Sequence, residues 1–503
     1  MSDLPFLGQP QMSKELEFTE STIQGLFGHE AAEDEDPVRL KEYYFKGTSY
    51  EQVTADQAIR ILVGHKGIGK SALFKMAIAE GEDEKNLCVL IQPNDIGALK
   101  IEQTDFLSRV RSWTHGLSRV IVQKTLNFIG IRGKFLKEAT ADFEDYDSKI
   151  IDFISDYFKG VINTNSYDVS KKDFVERFLK TGKISIYIDD LDRGWEGKKE
   201  DITQISSLLN SVRDISRENR GVIFKVSLRA DVYYLVRTSD ESTDKIESSV
   251  IWQSWTNHEI FVVLIKRMET HFGRKVDEAQ LLKTPQRELA SNYLSMVMEL
   301  RFTGVGKWEN APIHKILMSL IRKRPRDLVK LCTLAARKSY ERKSSLIQTV
   351  DFKAVFEEYS QGRIQDTINE YRSELPEIEK LLMNMRPTQR ERTTQQSYVY
   401  KTDALLQKIQ NISQNHDFRF ANSRATVKPK DLAAFLYKIN FLTARRETDD
   451  GKITRRYFEE NRYLSSTFVD FGFDWEVHPA YRWVLQPSDL NSIFRQLDLS
   501  SDE

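Results

Sequence analysis

The stretch "ILVGHKGIGKSALFKMA", Ile61 to Ala77, decides the reading of this chain: three apolar residues run into a glycine-rich turn and leave through a helix-forming segment. Gly64-His65-Lys66-Gly67-Ile68-Gly69-Lys70-Ser71 fits G-x-x-x-x-G-K-[ST], placed between a strand and a helix as that pattern requires. The glycines permit positive φ, so backbone N–H groups from Gly64 through Ala72 can converge on a polyphosphate, and the helix start adds its partial positive charge. Lys70 is placed to reach the β- and γ-phosphates as a point charge, and Ser71 to offer its hydroxyl to Mg2+.

A phosphate cradle of this kind predicts a second apolar strand ending in acid, because the metal needs a carboxylate beside the phosphates. "ISIYIDD" supplies it: Ile184 to Ile188 form the strand, Asp189 serves the metal directly or through water, and Asp190 polarises the attacking water. A further apolar run ends in "VSLRAD", which puts Arg229 at a strand tip where it can face the γ-phosphate. A surface ion pair with Asp231 is an equal alternative for Arg229. In "RKRPRDL", Arg324 and Arg326 flank a proline at a helix start, from which Arg326 could return to the nucleotide; a solvated basic turn is the slightly favoured alternative.

Working outward, the runs "IRILVG", "LCVLIQ", "ISIYID" and "VIFKVSLR" are continuously apolar rather than alternating, which suits parallel strands covered on both faces. The fold expected is an α/β P-loop NTPase domain, a parallel sheet covered by helices, followed by an α-helical lid and a C-terminal winged-helix-like domain. Residues 1–47 read as a lead-in segment, 48–265 as the NTPase core with a helical insertion at about 100–180, 266–375 as the lid, where strand signals vanish, and 376–503 as the C-terminal domain. In the last of these, "LAAFLYKINFLTARRETDDGKITRRYF" reads as a helix followed by two β arms around Asp449, Asp450 and Gly451.

Composition bounds the rest. With 503 residues, the chain exceeds one core and suggests roughly three or four domains. Hydrophobic residues make up 40% and charged residues 30%, and no apolar run reaches the roughly 18 residues of a membrane span. The opening "MSDLPFLGQPQMSKELEF" lacks the pattern of a secretory leader, and two cysteines, Cys88 and Cys332, make no disulfide framework, so a reducing cytoplasm is expected. The balance of 74 basic against 75 acidic residues leaves nucleic-acid binding to local patches.

The segments "FGHEAAEDED", "GHKGIGKSAL", "YIDDLDRGWEG", "VSLRADVY", "WQSWTNHEI", "RPRDLVKLC" and "EYSQGRIQDTINEY" together resemble P-loop ATPases of the AAA+ and STAND type from prokaryotic conflict and phage-defence loci. "IDDLDR" is also similar to the KAP group, and the resemblance covers about residues 25 to 385. It implies ATP turnover that controls assembly or partner action, a homo-oligomer, a separate effector protein, and support for Arg229 as a sensor and Arg326 as a lid arginine. The Asp189-Asp190 pair departs from the Asp-Glu common in vigorous AAA+ motors, which implies slow, switch-like hydrolysis.

At the C-terminal end Arg445, Arg446, Lys452, Arg455 and Arg456, with Lys428 and Lys430, are placed for phosphate contacts on DNA, while Glu447, Asp449, Asp450, Glu459 and Glu460 interleave with them. DNA contact and protein docking stand there as even alternatives. His478 in "WEVHPAYRWVLQP" has no Cys/His cluster at ligand spacing and reads as structural or surface. The expectation is an Mg2+-dependent ATPase acting as a nucleotide-controlled sensor or assembly switch. The rivals are a DNA-binding regulator with structural nucleotide and a DNA-translocating motor.

Overall fold

The computed structural model describes residues 16–499 apart from 32–33, 98, 100–104, 145–148, 165, 240, 393–396, 422, 424, 450, 468–470, 487–492 and 496. Asp450 and residues 1–15 of the expected lead-in therefore lie outside the described residues.

The four apolar runs form strands β1 (Ile59–Gly64), β2 (Leu87–Ile91), β3 (Ile184–Ile188) and β4 (Val222–Arg229). A short fifth strand, β5 (Val250–Trp252), joins the edge of the same sheet. All pairings are parallel and the order is β2-β3-β4-β1-β5, so β1, β3 and β4 end side by side at one edge. Their continuous hydrophobicity follows from cover on both sides. Trp113, Leu117 and Ile121 of the helix Phe106–Phe128, with Leu208 and Val212 of the helix Lys199–Glu218, pack on one face; Leu73, Phe74 and Met76 of the helix Lys70–Asp83 pack on the other.

Helix starts are set by local chemistry. Thr19 caps the helix Glu20–Phe27 by accepting from the Thr22 N–H, and Thr256 with Glu259 forms a capping box on the helix Asn257–His271. Ile23, Leu26 and Phe27 of the first of these pack with Phe261 and with Leu328 and Leu331 of the helix Pro325–Glu341, so the lead-in belongs to the core of the helical region after the sheet. That region is not free of strands: β6 (Arg301–Thr303) and β7 (Glu309–Pro312) form an antiparallel hairpin, which corrects the expectation that strand signals vanish there. Among the described residues, no helix is long and apolar enough to cross a membrane.

After the long helix Thr349–Tyr371 come β8 (Val399–Tyr400), β9 (Leu442–Glu447), β10 (Ile453–Arg456) and β11 (Asp474–Val477), in a four-stranded sheet ordered β10-β9-β11-β8. The helix Pro429–Lys438 precedes β9, and β9 pairs antiparallel with β10 across the turn holding Asp449 and Gly451. Two of the arginines read as phosphate contacts are buried instead: Arg455 donates to Glu476 at 2.7 Å and Arg445 to Asp498 at 2.7 Å. That corrects their role, since a buried, paired guanidinium cannot reach a duplex. His478 is buried too, bonded to Tyr457 OH at 2.9 Å and accepting from Ala480 N–H.

Glu476 also accepts from Arg482. Burial works to raise its carboxyl, but Arg455 and Arg482 overcome that and hold it at about 2, below the ordinary 4.5. A depressed carboxylate stabilises the fold fully above its unfolded value and loses that contribution as pH falls through its folded value. Between pH 4.5 and 2 this part of the molecule is therefore expected to lose roughly 2–3 kcal/mol. Urea midpoints from tryptophan fluorescence at pH 7 and pH 3 check it; Glu476→Gln should flatten the difference.

Candidate active site

β1 delivers the chain to Gly64 at the C-terminal edge of the sheet, and the turn closes before the helix at Lys70. Gly67 (φ 80°) and Gly69 (φ 104°) take conformations that L side chains rarely adopt, which is why this turn needs glycine at both places. A Cβ on Gly67 would sit 3.2 Å from Arg326 Cδ, so that arginine closes directly over the turn. Trp255 Nε1 donates to the Ile68 carbonyl at 2.7 Å and pins the turn from behind. Lys70 Nζ donates to the carbonyls of Gly64 (2.8 Å) and His65 (3.2 Å). Burial pulls its pKa down, while Asp192 and then Asp189 work to raise it.

The turn opens on a cleft of about 450 Å³. Of the residues expected in the cradle, Lys66, Gly67, Gly69, Lys70, Ser71 and Ala72 line it, and so does Arg326. Gly64, His65 and Ile68 are not among the lining residues. Asp189 lines the cleft from the end of β3; its Oδ1 accepts from the Ser227 hydroxyl and from the Asp190 N–H at 3.0 Å. Sequence reasoning missed Ser227; the available signal was a hydroxyl two residues before the strand-end Arg229 in β4, which also carries Lys225. Asp190 also lines the cleft, in a left-handed conformation (φ 60°) with its carboxylate 3.0 Å from Arg193 Nε. Asp192, two residues on, lies against Arg229, with Oδ2 3.4 Å from Nη1.

Arg229 pairs with Asp231, through Nε at 3.0 Å, in a largely buried pair rather than a surface one, and it also lines the cleft. Burial opposes its charge; Asp231, Glu370 and Asp192 hold its pKa well above the ordinary value. In "RKRPRDL" the residues Arg322, Lys323 and Arg324 are buried, which corrects the solvated alternative for Arg324, whereas Arg326 stays partly exposed. Arg324 is buried and donates to the Lys66 carbonyl at 3.2 Å, while Arg326 Nε donates to the Glu30 carbonyl at 3.0 Å. Leu40, Tyr43 and Val329 form apolar walls at another part of the cleft, with Arg267 over the Tyr43 ring at 4.7 Å.

The outer side of the turn is gripped by parts of the chain far away in sequence. His65 is fully buried, with Nδ1 3.0 Å from Tyr371 OH and Nε2 2.9 Å from Glu459 Oε1. Lys66 N–H points to Glu370 Oε1 at 3.4 Å, and Arg229 Nη2 donates to the Glu370 carbonyl at 3.2 Å. Burial works to raise the Glu459 carboxyl, but His65 and Asn440 bring it to about 2. Glu370 is likewise lowered, Arg324 and Arg229 outweighing burial. Sequence reasoning missed this grip.

The FunZ-associated C-terminal helical domain family matches residues 298–368. The chain is 20% identical over 522 aligned residues to the "Putative transposon gamma-delta 80.3 kDa protein" of Escherichia coli (strain K12), covering 94% of this chain and 70% of that protein. Among solved structures, the Walker-type ATPase PABY2304 of Pyrococcus abyssi is similar at 11% identity and a TM-score of 0.40, over 88% of this chain and 96% of the other. The ORC2 protein of Aeropyrum pernix is similar at 10% identity and a TM-score of 0.38, over 85% and 96%. At that distance the sheet order and the residues of the cleft carry the functional reading.

Proposed function

We propose that this chain binds ATP with Mg2+ in the cleft, hydrolyses it slowly, and uses the bound state to hold or release its C-terminal region. The cleft combines a glycine turn whose positive-φ residues suit backbone N–H groups converging on an anion, a partly buried lysine, and an acid at the end of β3, one strand removed from β1. Ser71 and Asp189 both line it and would hold Mg2+; the Asp189 carboxylate is already oriented by Ser227 and the Asp190 N–H, as suits an oxygen ligand of a hard cation. When bound, the metal neutralises phosphate charge. Lys70, now turned onto two backbone carbonyls, would turn to the phosphates on binding, and Arg229 and Arg326, which line the same cleft, would supply further charge-assisted donors.

The observation that carries the switch reading is the grip on His65 and Lys66. The same turn that would wrap the phosphates is bonded from outside to Tyr371, Glu370 and Glu459. Any change in the turn on binding must alter those bonds, and by linkage the C-terminal region must tune nucleotide affinity in return. The helix Pro429–Lys438 with the β9–β10 hairpin supports a winged-helix reading of that region. Most of this helix is packed away, Lys438 bonding Glu374 and Phe435 lying 6.2 Å from the Tyr371 ring, so it meets a partner only once released. Lys428 and Lys430 at its start are exposed and keep DNA as an alternative partner. A homo-oligomer, a separate effector and a place in prokaryotic defence rest on the family resemblance; similarity to a protein named for a transposon is compatible with a chain carried on mobile DNA.

The test combines ATP turnover and solution mass with hydrogen exchange across residues 429–438. ATP with Mg2+ is expected to speed exchange there in the wild type. Glu459→Ala, which strands buried His65 and Asn440, should do so without nucleotide by roughly 5- to 100-fold, the equivalent of about 1–3 kcal/mol. Exchange indifferent to ATP would sink the switch, and salt-sensitive DNA binding equally indifferent to ATP would favour a DNA-binding regulator.

A further inference from the structure

The turn after β3 carries three acids, and they do not face the same way. Asp189 is tied to Ser227 of the neighbouring strand. At Asp190 the backbone enters the left-handed region, and the Arg193 N–H closes a turn onto the Asp190 carbonyl at 3.1 Å. The Asp190 side chain is 47% exposed and sits on Arg193, itself 65% exposed. Asp192 follows on the inside of the turn with only 15% of its side chain exposed, lining the cleft against Arg229. Of the charges acting on Lys70, that of Asp192 is the largest, ahead of Asp189.

We propose that Asp192, not Asp190, is the carboxylate that holds and deprotonates the hydrolytic water. This rests on the ATPase reading and deepens it. Lys70 and Arg229 are two of the cations that line the cleft and suit a γ-phosphate; Asp192 lies against Arg229 and is the carboxylate that acts most strongly on Lys70, which puts it on the side from which a water would attack. The water oxygen forms the new bond to the γ-phosphorus and one of its protons passes to an Asp192 oxygen. The bond from phosphorus to the β,γ-bridging oxygen breaks, with the electron pair leaving on ADP. The proton on Asp192 then passes to solvent, giving ADP and inorganic phosphate. Burial, acting against Arg229 and Lys70, raises the Asp192 carboxyl, which makes it a better proton acceptor than an exposed aspartate. Asp190 shapes the turn that points Asp192 inward.

Fluorescent-ATP binding and single-turnover hydrolysis on the full chain decide the matter. Asp192→Asn should bind ATP at least as tightly as wild type and hydrolyse it at least about 100-fold more slowly, while Asp190→Asn should lose less than about fivefold. Asp192→Ala should regain turnover with added formate, a rescue that lost packing would not show and that serves if Asp192→Asn folds poorly. Loss confined to Asp190→Asn overturns the assignment. So does an Asp192→Asn protein with tighter ATP binding and unchanged hydrolysis, because Asp192 would then only balance charge in the empty cleft. A wild type that binds no ATP overturns the ATPase reading with it, whereas an active wild type matched by Asp192→Asn overturns this assignment alone.

Discussion

Asp327→Ala is expected to lower the unfolding free energy by about 3–5 kcal/mol, seen as a fall in urea midpoint with an unchanged slope. Asp327 is fully buried in the first turn of the helix Pro325–Glu341. It accepts from Arg322 through Nε at 2.7 Å and Nη2 at 2.9 Å, and from Arg363 Nη1 at 2.6 Å. Burial works to raise its carboxyl, yet the two guanidiniums drive it far below the ordinary carboxylate range. Arg322 reaches on to Thr367 Oγ1 at 3.1 Å and Tyr481 OH at 2.9 Å, so the network ties the helix start beside the cleft to the Thr349–Tyr371 helix and to the C-terminal region. Removing the one acid leaves two buried cations without their shared partner, which is why the loss should far exceed that of a surface pair. Asp327→Asn keeps the shape and should still cost most of the same amount, because the missing charge rather than the missing volume is the cause. A change under about 1 kcal/mol for both variants would mean that water or other acids compensate.

The same network marks the limit of what the chain discloses in one dimension. "RPRDL" shows two arginines and a proline, and nothing local says that Asp327 is buried, because Arg363 and Tyr481 belong to later segments. β1 to β4 were legible since strands covered on both faces are apolar in near-continuous runs; seven of eight residues of β4 are buried, the polar two among them, Lys225 and Ser227, each bonded to a partner. β5 has three residues, and the β6–β7 hairpin carries Arg301, Glu309 and Asn310, so neither has a hydrophobic period long enough to read. The cradle was legible because its chemistry is contained in eight consecutive residues, Gly64 to Ser71. The grip on it was not, His65 and Tyr371 standing 306 residues apart. Arg445 and Arg455 illustrate the reverse error: a hairpin rich in arginine looks like a nucleic-acid surface until Glu476 and Asp498 are seen to face inward with them.

Lys70→Met should leave a folded protein that no longer turns over ATP, with hydrolysis reduced by about a thousandfold or more. The ammonium is partly buried, desolvated and held by two carbonyls, at the first residue of the helix that follows the glycine turn. A unit charge about 4 Å from a phosphate oxygen, at the effective dielectric of about 20 suited to such sites, interacts by about 4 kcal/mol. If that interaction is realised in full only as charge develops on the transferring group, the loss appears in the rate, and about 4 kcal/mol is about a thousandfold. Lys70→Arg should not rescue it, because the planar fork is longer than a point charge and must displace the Gly64 and His65 carbonyl contacts. The fold has little reason to suffer: a buried ammonium is opposed by desolvation, and a methionine fills similar space without that cost. Stability and turnover should therefore separate, the melting temperature being kept or raised while hydrolysis disappears. Turnover above a tenth of wild type in Lys70→Met would take the phosphates away from this turn and leave its glycines serving only the fold.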